Sequence, residues 1–393
     1  MAVRRRRAAP LTLLAVSGLP VGPDPAEPAD RLCVAAGLEV VVLSDDEVLV
    51  QFGSRTHPSE LFRDSEVTGV LGRGMGRLLE GPATKAELVS AVGSDHEQDL
   101  DQLIVTLTEK GILTTESADP VSQYLGYAAG GSTDLSRHTV ALIGCGPVGA
   151  RIAAGLGQHG VGSVLLADDR PIDQYWQRFA PPGVAAGDAP AGRADAAVHD
   201  WLAEAGHRVE RVEGGLESET LEDIVARADL PILALEQIDL RLAHLLNRHA
   251  VRASRPWLHA LVDGNSGVVG PLFKTPETAC YNEFQTLRNA ATPSAAMMNR
   301  YRAHVLARGR GSFFPGLPAY AEMVAAYAIL AAVHYLLKGS CFALGRALFV
   351  NFEQMVIDAD DVLRLPRCPV CSTKRRPARP AFAPPAAASA PQT

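Results

Sequence analysis

The chain has 393 residues, enough for two or three domains, and a formal net charge of −7, which excludes a general nucleic-acid binder because such proteins normally carry a basic surface. Hydrophobic residues make up 47% and charged residues 21%, the composition of an ordinary soluble globular protein. The six cysteines are spread too widely for a small disulfide scaffold.

The N-terminal 34 residues are predicted to be disordered, since prolines recur through them. Arg4–Arg7 precede a mildly apolar stretch, as at the start of a signal peptide, but prolines interrupt that stretch and no small-x-small cleavage site follows directly. We therefore predict a cytoplasmic protein. The most apolar predicted helix, Met323–Leu337, is too short for a comfortable membrane span, so no membrane contact is expected.

Residues 35–118 have the pattern of a small winged-helix-like domain. The runs LEVVVL and EVLVQF predict two strands joined at Ser44–Asp46, a hairpin signal because Asp tolerates turn geometry. Three helices are predicted next: over Val67–Leu79, after Thr84 with a capping-box Glu three residues on, and from Asp99. Gly111 ends the third helix, and a short strand follows it.

The third of these helices has an apolar face formed by Leu100, Leu103, Ile104 and Leu107, at the i, i+3, i+4 and i+7 positions. These side chains have two interpretations. They are either core residues, the ordinary role of such a face, or the lining of a groove that binds an extended peptide.

After a predicted linker at 119–136, residues 137–375 alternate between strand and helix patterns. The first repeat reads TVALIG, CGPVG, ARIAAGLGQHG and VGSVLLADD, that is, strand, glycine turn, helix and strand. Such alternation predicts an α/β domain with a doubly wound, parallel sheet. Residues 376–393 are rich in Ala and Pro and are predicted to be disordered.

The glycine turn has the spacing G-x-G-x-x-G, with Gly144, Gly146 and Gly149 at the three positions. The first glycine allows the tight turn, the second lets a phosphate approach the backbone, and the third lets the helix pack on the strand. The next strand ends at Asp168–Asp169, the usual distance to an acidic partner for a ribose hydroxyl. The motif predicts nucleotide-binding ancestry; in the alternative, the fold is retained and nucleotide binding is lost.

The run GCGPVGARIAAGLGQHGVGSVLLADD resembles ThiF/E1-like adenylating proteins more than dehydrogenases. The resemblance implies ATP as the cofactor and a ribose partner at Asp168 or Asp169. It also places Arg178, in Gln177–Arg178, and Arg193 where the family has its phosphate-contacting Arg and Lys.

Two departures from the ThiF/E1-like pattern count against adenylation. Tyr175 stands where Asn is usual, and Glu236 and Asp239 follow the strand at 231–235 in place of an Asp-Asn signature for magnesium.

The domain combination resembles one branch of the family, the leader-peptide-binding (cyclodehydratase F) proteins of azoline-forming (TOMM) clusters. Residues 38–53 and the helix-rich stretch through KGILT are similar to a RiPP recognition element, the PqqD-like winged helix, and PRCPVC at 366–371 is also typical of the branch. This resemblance implies a protein that binds the leader peptide of a ribosomally made precursor and presents it to a YcaO-type cyclodehydratase. A homodimer is a candidate assembly.

Two enzyme hypotheses compete with this interpretation. The first is an active E1-like adenylyltransferase acting on a peptide or carrier-protein C-terminus. The second is an NAD-dependent oxidoreductase using the same glycine turn, but no catalytic His or Tyr-Lys constellation accompanies the turn.

Cys368 and Cys371 form a metal half-site, because two thiolates at this spacing can converge on one tetrahedral zinc. The family resemblance implies a second pair, for which Cys280 is in the expected region and Glu283 stands in place of the other cysteine. We predict a structural zinc held by these four residues. The alternatives are a nearby His as the fourth ligand and complete loss of the site.

Overall fold

The chain divides into two compact units, Met1–Asp134 and Leu135–Thr393. The predicted tail at 376–393 and most of the predicted linker at 119–136 lie outside the described residues, as do the first 30 residues. The computed structural model describes residues 31–53, 59–116, 121, 123, 125, 134–184, 192–308 and 316–372.

The strands described in the N-terminal unit form two antiparallel sheets. The first has three strands in the order β2-β3-β4, and the second pairs β1 with β5. The strands are β1 Leu32–Val34, β2 Leu38–Ser44, β3 Glu47–Phe52, β4 Ser59–Arg63 and β5 Leu113–Thr115.

The sequence predicted the β2–β3 hairpin and the short strand β5, and both are confirmed. It missed β4 and placed β1 in the disordered stretch at 1–34. That boundary was wrong because pairing with β5 holds Leu32–Val34 in an ordered strand.

Three helices, α1 Val70–Leu79, α2 Lys85–Val92 and α3 Glu97–Glu109, complete this unit in its described part. The predicted capping box is confirmed, since the Thr84 side chain accepts from the amide of Glu87 while the Glu87 side chain accepts from the amide of Thr84. Helix α1 packs against β1, β2 and β3, and the helices share one core with the strands through residues such as Met75, Leu88 and Val50. A winged-helix or RiPP recognition element assignment remains a prediction.

The second unit is built on an eight-stranded sheet in the order β13-β12-β11-β10-β9-β6-β7-β8. Its strands are β6 Thr139–Ile143, β7 Ser163–Ala167, β8 Val209–Arg211, β9 Leu230–Leu235, β10 Trp257–Asp263, β11 Ser266–Phe273, β12 Arg346–Asn351 and β13 Val356–Asp361. Its helices are α4 Pro147–Gln158, α5 Gln174–Phe179, α6 Ala194–Glu204, α7 Ser218–Arg227, α8 Leu240–Ala253, α9 Tyr281–Ala291, α10 Ala295–Arg308 and α11 Pro318–Lys338.

The predicted parallel sheet is confirmed for β8, β7, β6, β9 and β10, which pair in parallel. It is wrong for β11, β12 and β13, which are antiparallel. The reason is the connection after β10, where only Gly264 and Asn265 separate the two strands. A connection this short makes a hairpin, whereas a parallel pairing needs a long crossover.

Helices cover both faces of this sheet. On one face α11 packs against α4, β10 and β11. On the other face, side chains of α7 and α8 join one core cluster with alternate residues of the strands, for example Ile224, Leu246 and Leu233. This layering places the carboxyl ends of β6, β7 and β9 side by side at one edge of the sheet.

Helix α11 is longer than the predicted Met323–Leu337, because it begins at Pro318 and ends at Lys338. By length and composition it is the one described helix that could cross a membrane, so the prediction that it is too short was wrong. Its buried small side chains, among them Ala325, Ala328 and Ala332, are those of a helix packed against α4 and the sheet.

Candidate functional site

The glycine turn lies between β6 and α4, where two backbone segments approach too closely for a side chain. Gly144 has a positive φ of 100°, and a Cβ atom there would collide with the carbonyl oxygen of Ala234. A Cβ atom on Gly149 would collide with the carbonyl oxygen of Gly144. The first and third glycines are therefore required by the fold itself, with or without a nucleotide.

Asp168, at the carboxyl end of β7, is buried and fully engaged with this chain's own groups. Its Oδ2 atom accepts a hydrogen bond from the amide of Cys145 in the glycine turn, at 2.6 Å. The guanidinium of Arg170 binds both carboxylate oxygens, with Nε 2.9 Å from Oδ1 and a terminal nitrogen 2.7 Å from Oδ2. Burial alone would raise the pKa of Asp168, but the charge and hydrogen bonds of Arg170 lower it, so the carboxylate is ionised.

Glu236, which follows β9, brings a second buried carboxylate to the glycine turn. Its Oε1 atom accepts a hydrogen bond from the amide of Val148, in the first turn of α4, at 2.8 Å. Its Oε2 atom lies 3.2 Å from the Arg170 guanidinium. The carboxylate covers Gly146 so closely that a Cβ atom on that glycine would overlap it. Burial raises the pKa of Glu236, and Arg170 opposes this shift.

These contacts determine whether the residues predicted to bind ATP are available to bind it. In a nucleotide-binding turn, free amides at the helix N-terminus receive the phosphates and the acidic residue binds the ribose. Here the amides of Cys145 and Val148 already donate to Asp168 and Glu236. The residues in this arrangement do not fit ATP.

The remaining residues that were predicted to bind the cofactor lie either beside this network or at the protein surface. Arg193 donates to the backbone carbonyl of Asp168 at 2.7 Å and pairs with Asp195 at 2.8 Å, so it lies beside the network. Asp169 and Arg178 are exposed to solvent.

Sequence analysis missed Arg170, the residue that joins the two carboxylates. The signal available was its position two residues after Asp168, combined with an acidic residue after the neighbouring strand β9. Carboxyl ends of adjacent parallel strands meet at one edge, so a basic residue there can reach both acids.

The predicted metal ligands do come together. The sulfur atoms of Cys280, Cys368 and Cys371 and a carboxylate oxygen of Glu283 all lie within 4.8 Å of one another, and all four residues are buried. The Cys280 and Cys368 sulfurs are 3.7 Å apart. Zinc–sulfur bonds of about 2.3 Å in a tetrahedral site separate two sulfurs by about 3.8 Å. The donor set and its spacing therefore fit zinc, whose role would be structural.

Glu283 has a second role that does not depend on metal. Its Oε2 atom accepts from the amide of Cys280, which caps α9, and its Oε1 atom accepts from the amide of Leu365, 82 residues away. Burial raises the pKa of the Cys280 thiol to about 11, so a bound cation is needed to favour its thiolate.

The N-terminal unit has a cleft of about 110 Å³ between α3 and the segment 63–71, which runs from the last residue of β4 to the start of α1. Of the four leucine and isoleucine side chains predicted to bind peptide, Leu103 lines this cleft. Leu100 and Leu107 are buried in the core of the unit, and Ile104 packs against that core. Leu100 and Leu107 are therefore core residues, because both lie on the face of α3 that packs against α1.

A larger cleft of about 430 Å³ lies where α8, α9 and α10 meet the sheet. His259 lines it from β10, and its buried Nδ1 atom has no hydrogen-bond partner; a guanidinium nitrogen of Arg302 is in the same situation. Burial lowers the pKa of His259 to about 4, which keeps the ring neutral at physiological pH.

The residues of the second unit match the profile of a known protein family. The ThiF family profile matches residues 122–370, more than half of the chain. The chain belongs to the ThiF family. No curated protein matches the sequence significantly.

Solved structures show the same fold at low sequence identity. Escherichia coli MccB, in a complex with MccA, is 15% identical with a TM-score of 0.59, covering 87% of this chain and all of that one. MccB has also been solved with ATP, at 16% identity and a TM-score of 0.58, covering 87% of this chain and all of that one. The heterocyclase TruD is 17% identical with a TM-score of 0.54, covering 87% of this chain and 43% of TruD.

Proposed function

We propose that this ThiF-family protein binds the leader peptide of a ribosomally made precursor and presents it to a separate YcaO-type cyclodehydratase for azoline formation. The observation that carries the proposal is the edge strand β4, whose last residue, Arg63, lines a cleft that α3 closes on the other side. An extended peptide can add to such an edge as a further strand, with affinity from main-chain hydrogen bonds and specificity from side-chain pockets.

The geometry of β4 suits this mode of binding. Five residues of β4 pair with β3, and within the described residues no strand pairs with its other edge. The end of helix α3 lies near this strand, because Lys110, directly after the helix, pairs with Glu60 at 3.4 Å and lies over the Phe62 ring. A peptide strand added to β4 would therefore reach the cleft at the Arg63 end of the strand.

The lining of the cleft indicates which peptide it favours. Val70, Leu71 and Leu103 offer an apolar surface for one hydrophobic side chain. Acidic residues predominate around it, because Asp64, Glu66 and Asp99 face a single cation, Arg63, which is itself paired with Glu47 at 2.7 Å. We infer a leader segment that combines an apolar anchor with a neighbouring Lys or Arg.

The structural relatives support a role in peptide modification. MccB is described as a biosynthetic enzyme and was solved with N-formylated MccA, and TruD is a heterocyclase. This chain corresponds to less than half of TruD.

Fluorescence polarisation with the full-length protein tests the proposal. The probes are the labelled leader and core halves of a candidate precursor peptide, a short Cys/Ser/Thr-rich sequence. We expect the leader to bind and the core to bind at least tenfold more weakly. Leu103→Glu should weaken leader binding at least tenfold, since it puts a charge into the apolar part of the cleft. Equal affinity for both halves, or no affinity for the leader, would refute the proposal.

Val105→Glu is the matched control for this experiment. It introduces the same charge on the same helix, but Val105 is 49% exposed and does not line the cleft. Leader affinity should therefore stay within about twofold of wild type, because surface substitutions away from an interface have small effects. An equal loss in both variants would indicate a general effect on α3.

The second candidate function is an active E1-like adenylyltransferase, which is favoured by the solved complex of MccB with ATP. Pyrophosphate exchange with the cognate precursor discriminates the two. Robust exchange that Arg178→Ala abolishes would support the adenylyltransferase. Absence of exchange in a protein that binds the leader would support the recognition subunit.

A further inference from the structure

The glycine turn of this protein already holds a charged group at the position where a ThiF-type fold receives phosphate. The Glu236 carboxylate lies over Gly146 and accepts from the amide of Val148, and its other oxygen meets the Arg170 guanidinium. All of these groups belong to one chain. Glu236 is 4% exposed, so this is a packed arrangement and not a surface side chain that happens to lie nearby.

A carboxylate can replace a phosphate here because both are anions with several acceptor oxygens. The N-terminus of α4 offers amides and a positive potential, which favour any anion. Glu236 takes the amide of Val148, while Asp168 takes that of Cys145. Arg170 pairs with both acids, as a basic side chain would pair with a phosphate.

Charge and space then act together against a nucleotide. The network contains two carboxylates and one guanidinium, so a phosphate entering it would meet excess negative charge in a buried region. The space above Gly146, which the second glycine of the motif normally leaves for phosphate, is filled by Glu236. Displacing Glu236 would leave Arg170 short of one partner and a buried amide without an acceptor.

We propose that Glu236 acts as an internal phosphate mimic, held by Arg170, which closes the nucleotide site and converts the glycine turn into a structural joint between α4, β7 and β9. It follows that the glycine turn of this unit does not bind ATP. The proposal concerns the ThiF-family unit alone and does not depend on the leader-binding cleft.

Isothermal titration of the full-length protein with MgATP is the first test. Because both amides and the space over Gly146 are occupied, wild-type protein should show no saturable binding at nucleotide concentrations up to the millimolar range. Saturable binding of MgATP by the wild-type protein would overturn the proposal, since it would show that Glu236 does not close the site.

A double-mutant cycle in thermal unfolding is the second test and needs no ligand. Gly146→Ala should lower the Tm by roughly 5 °C in the wild-type background, because its Cβ atom overlaps the Glu236 carboxylate. In a Glu236→Ala background the same substitution should have less than about half of that effect, because contacting residues couple. Equal shifts in both backgrounds would mean that Glu236 does not lie over Gly146.

Two controls keep these tests specific. Glu210→Ala removes an exposed glutamate that pairs with Arg227, away from the turn, so the effect of Gly146→Ala should be unchanged in that background. Leader affinity of Glu236→Ala is measured in parallel. Wild-type protein that binds both the leader and MgATP would refute the internal mimic and leave the recognition role standing.

Discussion

The carboxylate of Glu283 accepts a hydrogen bond from the thiol of Cys371 at 3.2 Å, although 88 residues separate the two. The other oxygen of the same carboxylate accepts from the amide of Leu365. The buried Glu283 side chain at the start of α9 thus binds two residues of the segment that follows β13. The metal ligands and the C-terminal segment are held by the same contacts, so metal binding and local folding should be coupled.

We predict that the cysteine cluster binds zinc. Protein purified without a His tag should contain zinc, and Cys368→Ser or Cys371→Ser should reduce the zinc retained, because each removes one of three thiolate donors. Cys280→Ser should do the same. Metal analysis by mass spectrometry provides the measurement. The eight-stranded sheet should stay folded in each variant, since the cluster lies outside it.

Cys341→Ser is the control for zinc content, because Cys341 is half-buried and does not belong to the cluster. It should leave the zinc content unchanged. If wild-type protein contains no zinc, the cysteine pair does not bind metal. If the double variant Cys368→Ser with Cys371→Ser retains zinc, other residues bind it.

Glu283→Gln separates the two roles of this residue. In protein stripped of metal with a chelator, the substitution should reduce the free energy of unfolding by about 1–3 kcal/mol, because an amide side chain has one acceptor oxygen for two buried backbone donors. In the zinc-loaded protein it should weaken metal retention less than a Cys→Ser change does. Chemical denaturation with and without chelator measures both effects.

The matched control is Glu277→Gln, a nearby exposed glutamate paired with Lys274. Exposed pairs contribute little, so this variant should differ from wild type by less than about 1 kcal/mol. If Glu283→Gln is as stable as Glu277→Gln in metal-free protein, the link between Glu283 and Leu365 does not stabilise the fold.

Short-range patterns in the sequence predicted much of this structure. The capping box of Thr84 and Glu87, the strand–turn–helix at Gly144 and the helix beginning at Leu240 all follow from residues within one or two turns of each other. The convergence of Cys280 with Cys368 was also predictable, because thiol pairs have few other roles and the family resemblance supplied the pairing.

What the sequence did not predict depends on contacts between distant segments. Arg170 and Glu236 are 66 residues apart, and neither position looks unusual until the order of β7, β6 and β9 is known. Strand β4 has only two apolar residues, Leu61 and Phe62, so its local signal is weak and its strand conformation depends on pairing with β3.

A pair of glycine substitutions tests the close approach at the turn. Gly144 and Gly160 both have positive φ, so alanine is strained at either position and should cost about 1–2 kcal/mol. A Cβ atom on Gly160 meets nothing within 4 Å, whereas one on Gly144 collides with the backbone of Ala234. Gly144→Ala should therefore destabilise the protein by about 2 kcal/mol more than Gly160→Ala, as overpacking does. Equal destabilisation in urea unfolding would contradict the close approach.

The last prediction concerns stability at acid pH and rests on His259. Burial lowers its pKa from the ordinary 6.5 to about 4, and Arg288 adds to this, while a backbone hydrogen bond to Gly270 opposes it. Below about pH 6.5 the unfolded chain therefore binds a proton that the folded chain does not. Stability from this residue is fully present above pH 6.5 and is lost as the pH falls towards 4, by about 3 kcal/mol in total.

His259→Phe should remove this loss while keeping an aromatic ring next to Trp257 and Tyr281. Between pH 6.5 and 4 the free energy of unfolding of the variant should fall by about 3 kcal/mol less than that of wild type, measured by urea denaturation at closely spaced pH values. Part of the slope will remain, since burial also lowers the pKa of His244 and of His249. His304→Asn, at an exposed position on α10, should retain the wild-type slope. If the free energy of unfolding of His259→Phe falls with pH as steeply as that of wild type, His259 is not buried and neutral in the folded protein.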